Sequence, residues 1–282
     1  MKGFINLIKP KDMSSAYAVG AVKKKFNLPC GHMGTLDPMA DGVLPVGVHK
    51  TSRLFNYLLD KKKTYIAEFT FGFSTDTLDI TGKVEDQTSH LPTKIDIEKV
   101  LPNFIGEIDQ IPPKYSAKCI AGKRGYELAR KGVDFTLEAK KVSILDVKLL
   151  EQTGENSYSF KIDCRGGTYI RSLARDIGEA VGSMGVMSKL TRSASGIFTL
   201  ENGVSVEEFK ASSNPNKYLI SPDLAIDFPK VILTNIQATR ILNGLFDRYD
   251  LQDGLYRVYN ENEFWGVGSS KEGVLKIDAY VR

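Results

Sequence analysis

One carboxylate, Asp37, sits at the centre of Gly31-His32-Met33-Gly34-Thr35-Leu36-Asp37-Pro38-Met39-Ala40-Asp41-Gly42-Val43-Leu44-Pro45, with a histidine five residues before it. So many glycines and prolines are foreign to an ordinary helix or strand interior, and the stretch reads as a shaped turn. Stiff loops on a packed scaffold are where reactive groups are usually held. Pro38 biases Asp37 toward an extended backbone, and the flanking glycines let a substrate come close. Asp37 is then either a reagent or a turn-former, since Asp before Pro commonly builds turns. Asp41, the second acid, reads as a capping residue.

Two arginines form the other unusual placement. A turn at Gly166-Gly167 leads into a helix whose apolar stripe is Ile170, Leu173, Ala174, Ile177, Ala180 and Val181. Arg171 and Arg175 lie off that stripe, four residues apart, where like charges repel by a few tenths of a kcal/mol. Arg171 also falls in the first turn, where the helix dipole disfavours a cation. An anion near this helix start would explain both; solvated arginines are the plain alternative.

The elements around these residues follow from periodicity. Phe4–Ile8 reads as a strand. Ser14 or Ser15 caps a helix with Ala18, Val22 and Phe26 on one face, and a short helix is expected near Thr51–Leu59. From Thr64 the period becomes two, with Tyr65, Ala67, Phe69, Phe71 and Phe73 on one face of a strand. Tyr65 heads that face, so a core aromatic is the plain reading of it. Ser74–Thr81 reads as a loop, Ile95–Leu101 as a helix and Ser157–Cys164 as a second alternating strand. Residues 110–142 open with Pro112-Pro113 and carry Tyr115 and Tyr126. They read as a projecting arm with a short helix at Tyr126–Arg130. Residues 211–229 resemble a linker, and Leu255–Tyr259, Phe264–Gly268 and Val274–Val281 suggest a small β-rich module after it.

Charge separates these regions. The 282-residue chain has a net charge of only +4. Residues 1–65 hold 11 Lys and Arg against 4 Asp and Glu, a net +7, and residues 110–141 hold 8 against 3, a net +5. The rest is acidic by 8, and residues 230–282 balance at 7 against 7. Two basic segments on an acidic body fit a polyanion partner, although surface lysine is often no more than solvated. Three scattered cysteines, Cys30, Cys119 and Cys164, make neither a disulfide framework nor a metal cluster. With no secretory signal and no bilayer-length apolar run, a reducing cytoplasm and no membrane contact are expected.

Seven motifs resemble one family in type and order. The Gly31–Pro45 stretch resembles the catalytic motif of the TruB family of tRNA pseudouridine synthases. Lys9-Pro10 followed by Ser14-Ser15 is similar to that family's N-terminal motif. Lys63-Thr64-Tyr65 resembles its Lys/Arg-x-Tyr strand start, and Thr75-Asp76-Thr77-Leu78-Asp79 its Thr-Asp-Thr-x-Asp loop. Ile111-Pro112-Pro113-Lys114-Tyr115-Ser116-Ala117 resembles the root of an RNA-gripping arm, and Gly167-Thr168-Tyr169-Ile170-Arg171 matches Gly-Thr-Tyr-Ile-Arg. Leu190-Thr191-Arg192 fits a later motif that more often reads Leu-Arg-Arg. The matches cover residues 4–200.

The resemblance implies an α/β (α+β) pseudouridine synthase fold: a mixed, mostly antiparallel central sheet flanked by helices. Residues 1–226 would form the catalytic domain, with 110–142 as an inserted RNA-binding arm, and 227–282 a PUA-like domain. It implies isomerisation of uridine to pseudouridine at position 55 of the tRNA T loop, without metal or organic cofactor. Asp37 would be the catalytic carboxylate, Arg171 its ion-pair partner and Tyr65 the aromatic against the base. His32, Lys9, Asp79, Lys114, Tyr115, Lys118, Lys123, Arg124, Tyr169 and Leu190 would serve RNA or substrate binding. The partner would be the T stem-loop of tRNA, met by a monomer that needs no protein partner. Two other readings share parts of the pattern. A noncatalytic RNA-binding protein would share the charge map without needing Asp37. A carboxylate-dependent hydrolase would use Asp37 but leave the basic arm idle.

Overall fold

The computed structural model describes residues 2–116, 133, 135–245 and 248–282, with the backbone alone of 119–120 and 123–124. Its strands, in chain order, are β1 (Gly3–Lys9), β2 (Cys30–His32), β3 (Asp41–Val48), β4 (Lys63–Phe71), β5 (Phe73–Thr75), β6 (Val84–Gln87) and β7 (Gly106–Gln110). Then follow β8 (Cys119–Ile120), β9 (Lys123–Arg124), β10 (Lys140–Gln152), β11 (Ser157–Cys164), β12 (Gly185–Ser195), β13 (Phe198–Thr199) and β14 (Val204–Ser205). The last are β15 (Leu219–Ile220), β16 (Lys230–Leu233), β17 (Gly254–Asn260), β18 (Glu263–Lys271) and β19 (Val274–Tyr280). Among the described residues the α-helices are α1 (Ser15–Phe26), α2 (Lys94–Val100), α3 (Ile170–Ala180), α4 (Val206–Ala211) and α5 (Asn235–Leu242). Contacts divide the chain into two compact units, one of residues 1–38, 42–60 and 195–282, the other of residues 39–41 and 61–194.

In the first unit, β1 pairs antiparallel with β3 and β15 and parallel with β14. Helix α1 begins where expected: Ser14 accepts a hydrogen bond from the Tyr17 amide, and Ala18 and Val22 are buried. Only the centre of the glycine- and proline-rich stretch is a loop. Gly31 and His32 lie in β2, and β3 takes in Asp41 to Pro45. Pro45 is tolerated inside a strand because it needs only its carbonyl, which accepts from the Met33 amide at 2.9 Å. Asp41 opens β3 instead of capping a turn. The segment expected near Thr51–Leu59 is a 3₁₀ helix over His49–Tyr57.

The presumed linker at 211–229 is structured. It holds two 3₁₀ turns, Pro215–Tyr218 and Pro222–Ala225, and β15, which pairs with β1. Pro222, Ala225 and Ile226 are buried. Beyond it, β16 runs parallel to β17, and β17, β18 and β19 form an antiparallel meander. The core of this unit mixes both ends of the sequence, with Phe4, Val43, Leu54 and Phe198 beside Tyr259, Phe264, Val267 and Val281.

In the second unit, β4, β11, β10 and β7 are successive antiparallel neighbours, and β12 lies beside β4. Alternation carries β4 and β11: Tyr65, Ala67, Phe69 and Phe71 are buried, as are Tyr158, Phe160, Ile162 and Cys164. Phe69 and Phe160 stack with ring centroids 4.7 Å apart. Burial of each such side chain contributes about 1.5–3 kcal/mol. Phe73 does not continue the β4 face; Gly72, at φ +104°, turns the chain into β5. β5 pairs with β6, so Ser74 and Thr75, expected in a loop, belong to a two-stranded ribbon.

Helix α3 buries Ile170, Leu173, Ala174 and Ile177, but Ala180 is exposed and Arg171 is buried. The stripe is therefore displaced toward the helix start. Near the other end, α3 approaches β12 so closely that a side-chain carbon at Gly178 would strike the Gly185 backbone. One at Gly185 would strike the Ala174 carbonyl. The described part of the 110–142 arm includes its root, residues 110–116, and the paired backbone of β8 and β9. Lys118 and the short helix expected at Tyr126–Arg130 lie outside the described residues. Among the described residues no helix is long and apolar enough to cross a membrane.

Candidate active site

Asp37 is half-buried between two pinned neighbours. On one side, Leu36 is buried and its backbone is held twice by Ser15. The Ser15 hydroxyl donates to the Leu36 carbonyl at 2.8 Å and accepts from its amide at 2.9 Å. On the other side, the Pro38 carbonyl accepts from the Asp12 amide at 2.8 Å and from the Lys9 ammonium at 3.2 Å. Lys9 is fully buried, and its Nζ also donates to the carbonyls of Pro10 and Met13, at 2.8 and 2.7 Å. A buried ammonium is costly unless such dipoles replace water. Lys9 thus joins the end of β1, the turn before α1 and the Asp37 loop around one charge. The sequence motif marked Lys9 for RNA; full burial gives it an internal role. Of the serine pair, Ser14 caps the helix and Ser15 holds the loop, a division of labour that sequence reading missed. His32 is half-buried at the end of β2.

In the second unit, Arg171 organises a cluster of its own. It is 7% exposed, and its NH1 lies 3.8 Å from Asp79 Oδ2, itself buried. NH1 also donates to the Thr77 carbonyl at 2.9 Å and NH2 to the Tyr115 carbonyl at 3.0 Å. The helix-start arginine therefore has an acidic neighbour in Asp79. Oδ1 of Asp79 is engaged separately, by the Thr77 hydroxyl at 2.9 Å and by the Thr81 amide and hydroxyl at 3.0 and 2.6 Å. One carboxylate thus both closes the Thr75–Thr81 turn and faces the guanidinium. Leu78, inside that turn, takes a left-handed backbone at φ 59°, uncommon for a branched side chain.

The arm root is tied to the start of α3. The Gln110 side chain accepts from the Tyr169 amide at 2.8 Å and donates to its carbonyl at 3.1 Å. The Ile111 carbonyl accepts from Ser172 Oγ at 2.8 Å and from Arg175 at 3.1 Å. Gln110 carried no sequence signal, because an amide in a polar run has no fixed role. Burial pushes the Asp176 carboxyl up, against its Arg175 contact. Tyr65 is buried in β4, opposite Ile162 of β11. Next to it in sequence, Thr64 donates to Asp163 at 2.6 Å, and Lys62 approaches that carboxyl at 2.9 Å. Burial pushes Asp163 up, but those two partners outweigh it and hold it below the usual carboxylate range.

Leu190 is buried in β12, and Tyr169 is half-buried as the α3 N-cap residue. At the arm root Lys114 is exposed and Tyr115 half-buried, its hydroxyl 3.5 Å from Asp76 Oδ2. Lys123 and Arg124 fall in β9, described as backbone only.

The family model for the N-terminal domain of TruB family pseudouridylate synthases matches residues 23–170. The chain belongs to the TruB family. Two further TruB models cover its C-terminal parts, over residues 171–220 and 229–276. It is 39% identical to a tRNA pseudouridine synthase B of Alkaliphilus oremlandii, over 95% of this chain and 93% of that one. To the Aquifex aeolicus protein of the same name it is 38% identical, over 98% of each. A crystallised Cbf5-Nop10-Gar1 complex contains a similar fold, at TM-score 0.73 and 25% identity, covering 99% of this chain and 84% of that one. This TruB-family chain is a tRNA pseudouridine synthase, with the expected α/β fold and mixed sheet. The noncatalytic and hydrolase readings are set aside.

Proposed function

We propose that this synthase isomerises uridine 55 in the T loop of tRNA, with Asp37 as the reacting carboxylate. The observation that carries this reading is the pinning of Leu36 and Pro38 on either side of Asp37, in a loop that matches the family's catalytic motif. The reaction breaks the N1–C1′ bond, turns the uracil and rejoins it through C5, releasing the C5 proton. No atom is added and no electron is lost, so the needs are a carboxylate, a proton acceptor and a pocket that keeps the freed base. Asp37 supplies the carboxylate. Arg171 keeps it ionised and aimed, in addition to its contact with Asp79. Tyr65 stacks on the base.

A uridine in a structured loop must be flipped out, at a cost of a few kcal/mol. Lys114, Tyr115, Lys118, Lys123 and Arg124 of the arm offset that cost by gripping the RNA. His32 meets a phosphate, while Tyr169 and Leu190 border the flipped nucleotide. Loop shape, more than base edges, then sets selectivity. Residues 227–282 act as a PUA-like domain beside a catalytic domain of residues 1–226. The enzyme works as a cytoplasmic monomer, without metal or organic cofactor.

The test is release of tritium from a tRNA transcript carrying [5-³H]uridine. The parent enzyme releases it, Asp37→Ala does not, and a transcript with cytidine at position 55 gives none. Release by Asp37→Ala at the parental rate would remove the carboxylate from the mechanism. Release from the position-55 variant would remove the assigned site.

A further inference from the structure

The outer face of α1 plays no part in holding Asp37. Tyr17 is 60% exposed on it. Gly20 follows one turn later, and a side-chain carbon there would meet nothing within 4 Å. A glycine inside a helix is less stable than alanine, and no neighbouring atom demands one here. Lys24 and Lys25 come next, and α4, beside α1, adds Lys210. Tyr17, Gly20, Ala21, Lys24, Lys25 and Lys210 line a groove of about 610 Å³. Lys25 donates to the Lys210 carbonyl at 2.9 Å and Lys210 pairs with Glu207, which leaves Lys24 without a hydrogen bond or ion pair among the described residues. Lysines at a helix C-terminus suit the helix dipole. That accounts for the charge but not for an exposed tyrosine, an unneeded glycine and a groove between them.

We propose that this groove is a second RNA-contact site, taking sugar-phosphate backbone of the tRNA outside the nucleotide that is isomerised. The inference rests on tRNA as substrate and on Asp37 as the reacting residue. Ser15, two residues before Tyr17, holds Leu36 next to Asp37, so α1 starts at the reacting loop and runs away from it. From Tyr17 to Lys24 the helix rises ~10 Å. A nucleic-acid strand in a duplex presents a phosphate about every 3.4 Å of axis, so the groove faces about three. Gly20 and Ala21 let the backbone lie close, Lys24 and Lys25 meet its charge, and Tyr17 offers a ring to a ribose or base.

Binding of the full chain to unmodified tRNA transcript, measured from about 50 to about 200 mM salt, tests this. Lys24→Gln/Lys25→Gln is expected to weaken binding about tenfold at low salt and to flatten the log–log salt slope by about 1 to 2. KM rises while kcat at saturation stays within about twofold. Gly20→Gln, which favours the helix but fills the groove, is expected to weaken binding while melting no lower than the parent. Unchanged slope and affinity in both variants would overturn the proposal and leave the face to an acidic protein or to no partner. A loss confined to kcat would also overturn it, because the helix would then act through the Asp37 loop. A wrong assignment of Asp37 shows separately, as tritium release by Asp37→Ala, and does not alter these binding results.

Discussion

Asp79 divides its two oxygens between two tasks, and a pair of substitutions separates them. Oδ2 faces Arg171 at 3.8 Å, and Oδ1 accepts from the Thr77 hydroxyl and from the amide and hydroxyl of Thr81. At an effective dielectric of about 20, unit charges at that distance attract by ~4 kcal/mol. Asp79→Asn removes the charge, keeps an oxygen for the turn and leaves Arg171 its carbonyl partners, Thr77 and Tyr115. It also removes the cost of burying a carboxylate, so the net loss should be about 1–2 kcal/mol. Asp79→Ala further strips three acceptor contacts at about 1 kcal/mol each, for a total of about 4–5 kcal/mol. Urea denaturation of both proteins gives the two numbers, and tritium release gives the activities. Activity should follow stability, because the Thr77 carbonyl that positions Arg171 belongs to the same turn. If Asp79→Asn is as stable as the parent, the ion pair adds no net stability beyond the cost of burying its carboxylate. If Asp79→Asn equals Asp79→Ala, Oδ1 does not hold the turn.

Other expectations follow from the same geometry. Lys9→Met should lower kcat about 10–100-fold with little change in tRNA affinity, since misplacing a reacting group by about 1 Å costs that much; a normal kcat would show that the Pro38 carbonyl is held without Lys9. Burial, followed by its hydrogen bond to Asp223, pushes Tyr259 up to about 12. The folded state then keeps a proton that the unfolded chain releases near pH 10, so this contribution is whole below pH ~10 and is lost as pH rises to about 12. Thermal melts of the parent across that range should fall more steeply than those of Tyr259→Phe, and parallel curves would refute the assignment. Burial pushes the Cys164 thiol up to about 11. It should resist alkylation at neutral pH in the native protein, and a labelled Cys164 peptide would contradict that.

Legibility in the sequence followed the strength of local periodicity. β4 and β11 alternate because one face meets a packed core, and α1 announces itself by a serine cap and a buried stripe. Arg171 was legible as a cation wanting an anion, but not Asp79 as that neighbour, which lies 92 positions away in sequence, a distance no period encodes. The motif resemblance singled out the residue; burial and carbonyl contacts gave it its surroundings. Pro45 misled because a proline inside a strand depends on which neighbour needs its amide. Residues 211–229 read as a linker because their order comes from pairing with β1, and strand additions of two residues leave no pattern. The roles of Ser15 and Gln110 were invisible for a related reason: each acts on the backbone of a distant residue, and a polar side chain shows no such role until that residue is placed.

The close approach of Gly178 and Gly185 behaves as the fulcrum of a lever. Gly178 lies seven residues beyond Arg171, ~10 Å along α3. A side chain at either glycine would lift one end of the helix from β12. Being rigid, the helix would tilt, and the guanidinium at its other end would shift relative to Asp79. The tolerance of the charged end is therefore set at the far end of the helix, by the absence of two methyl groups.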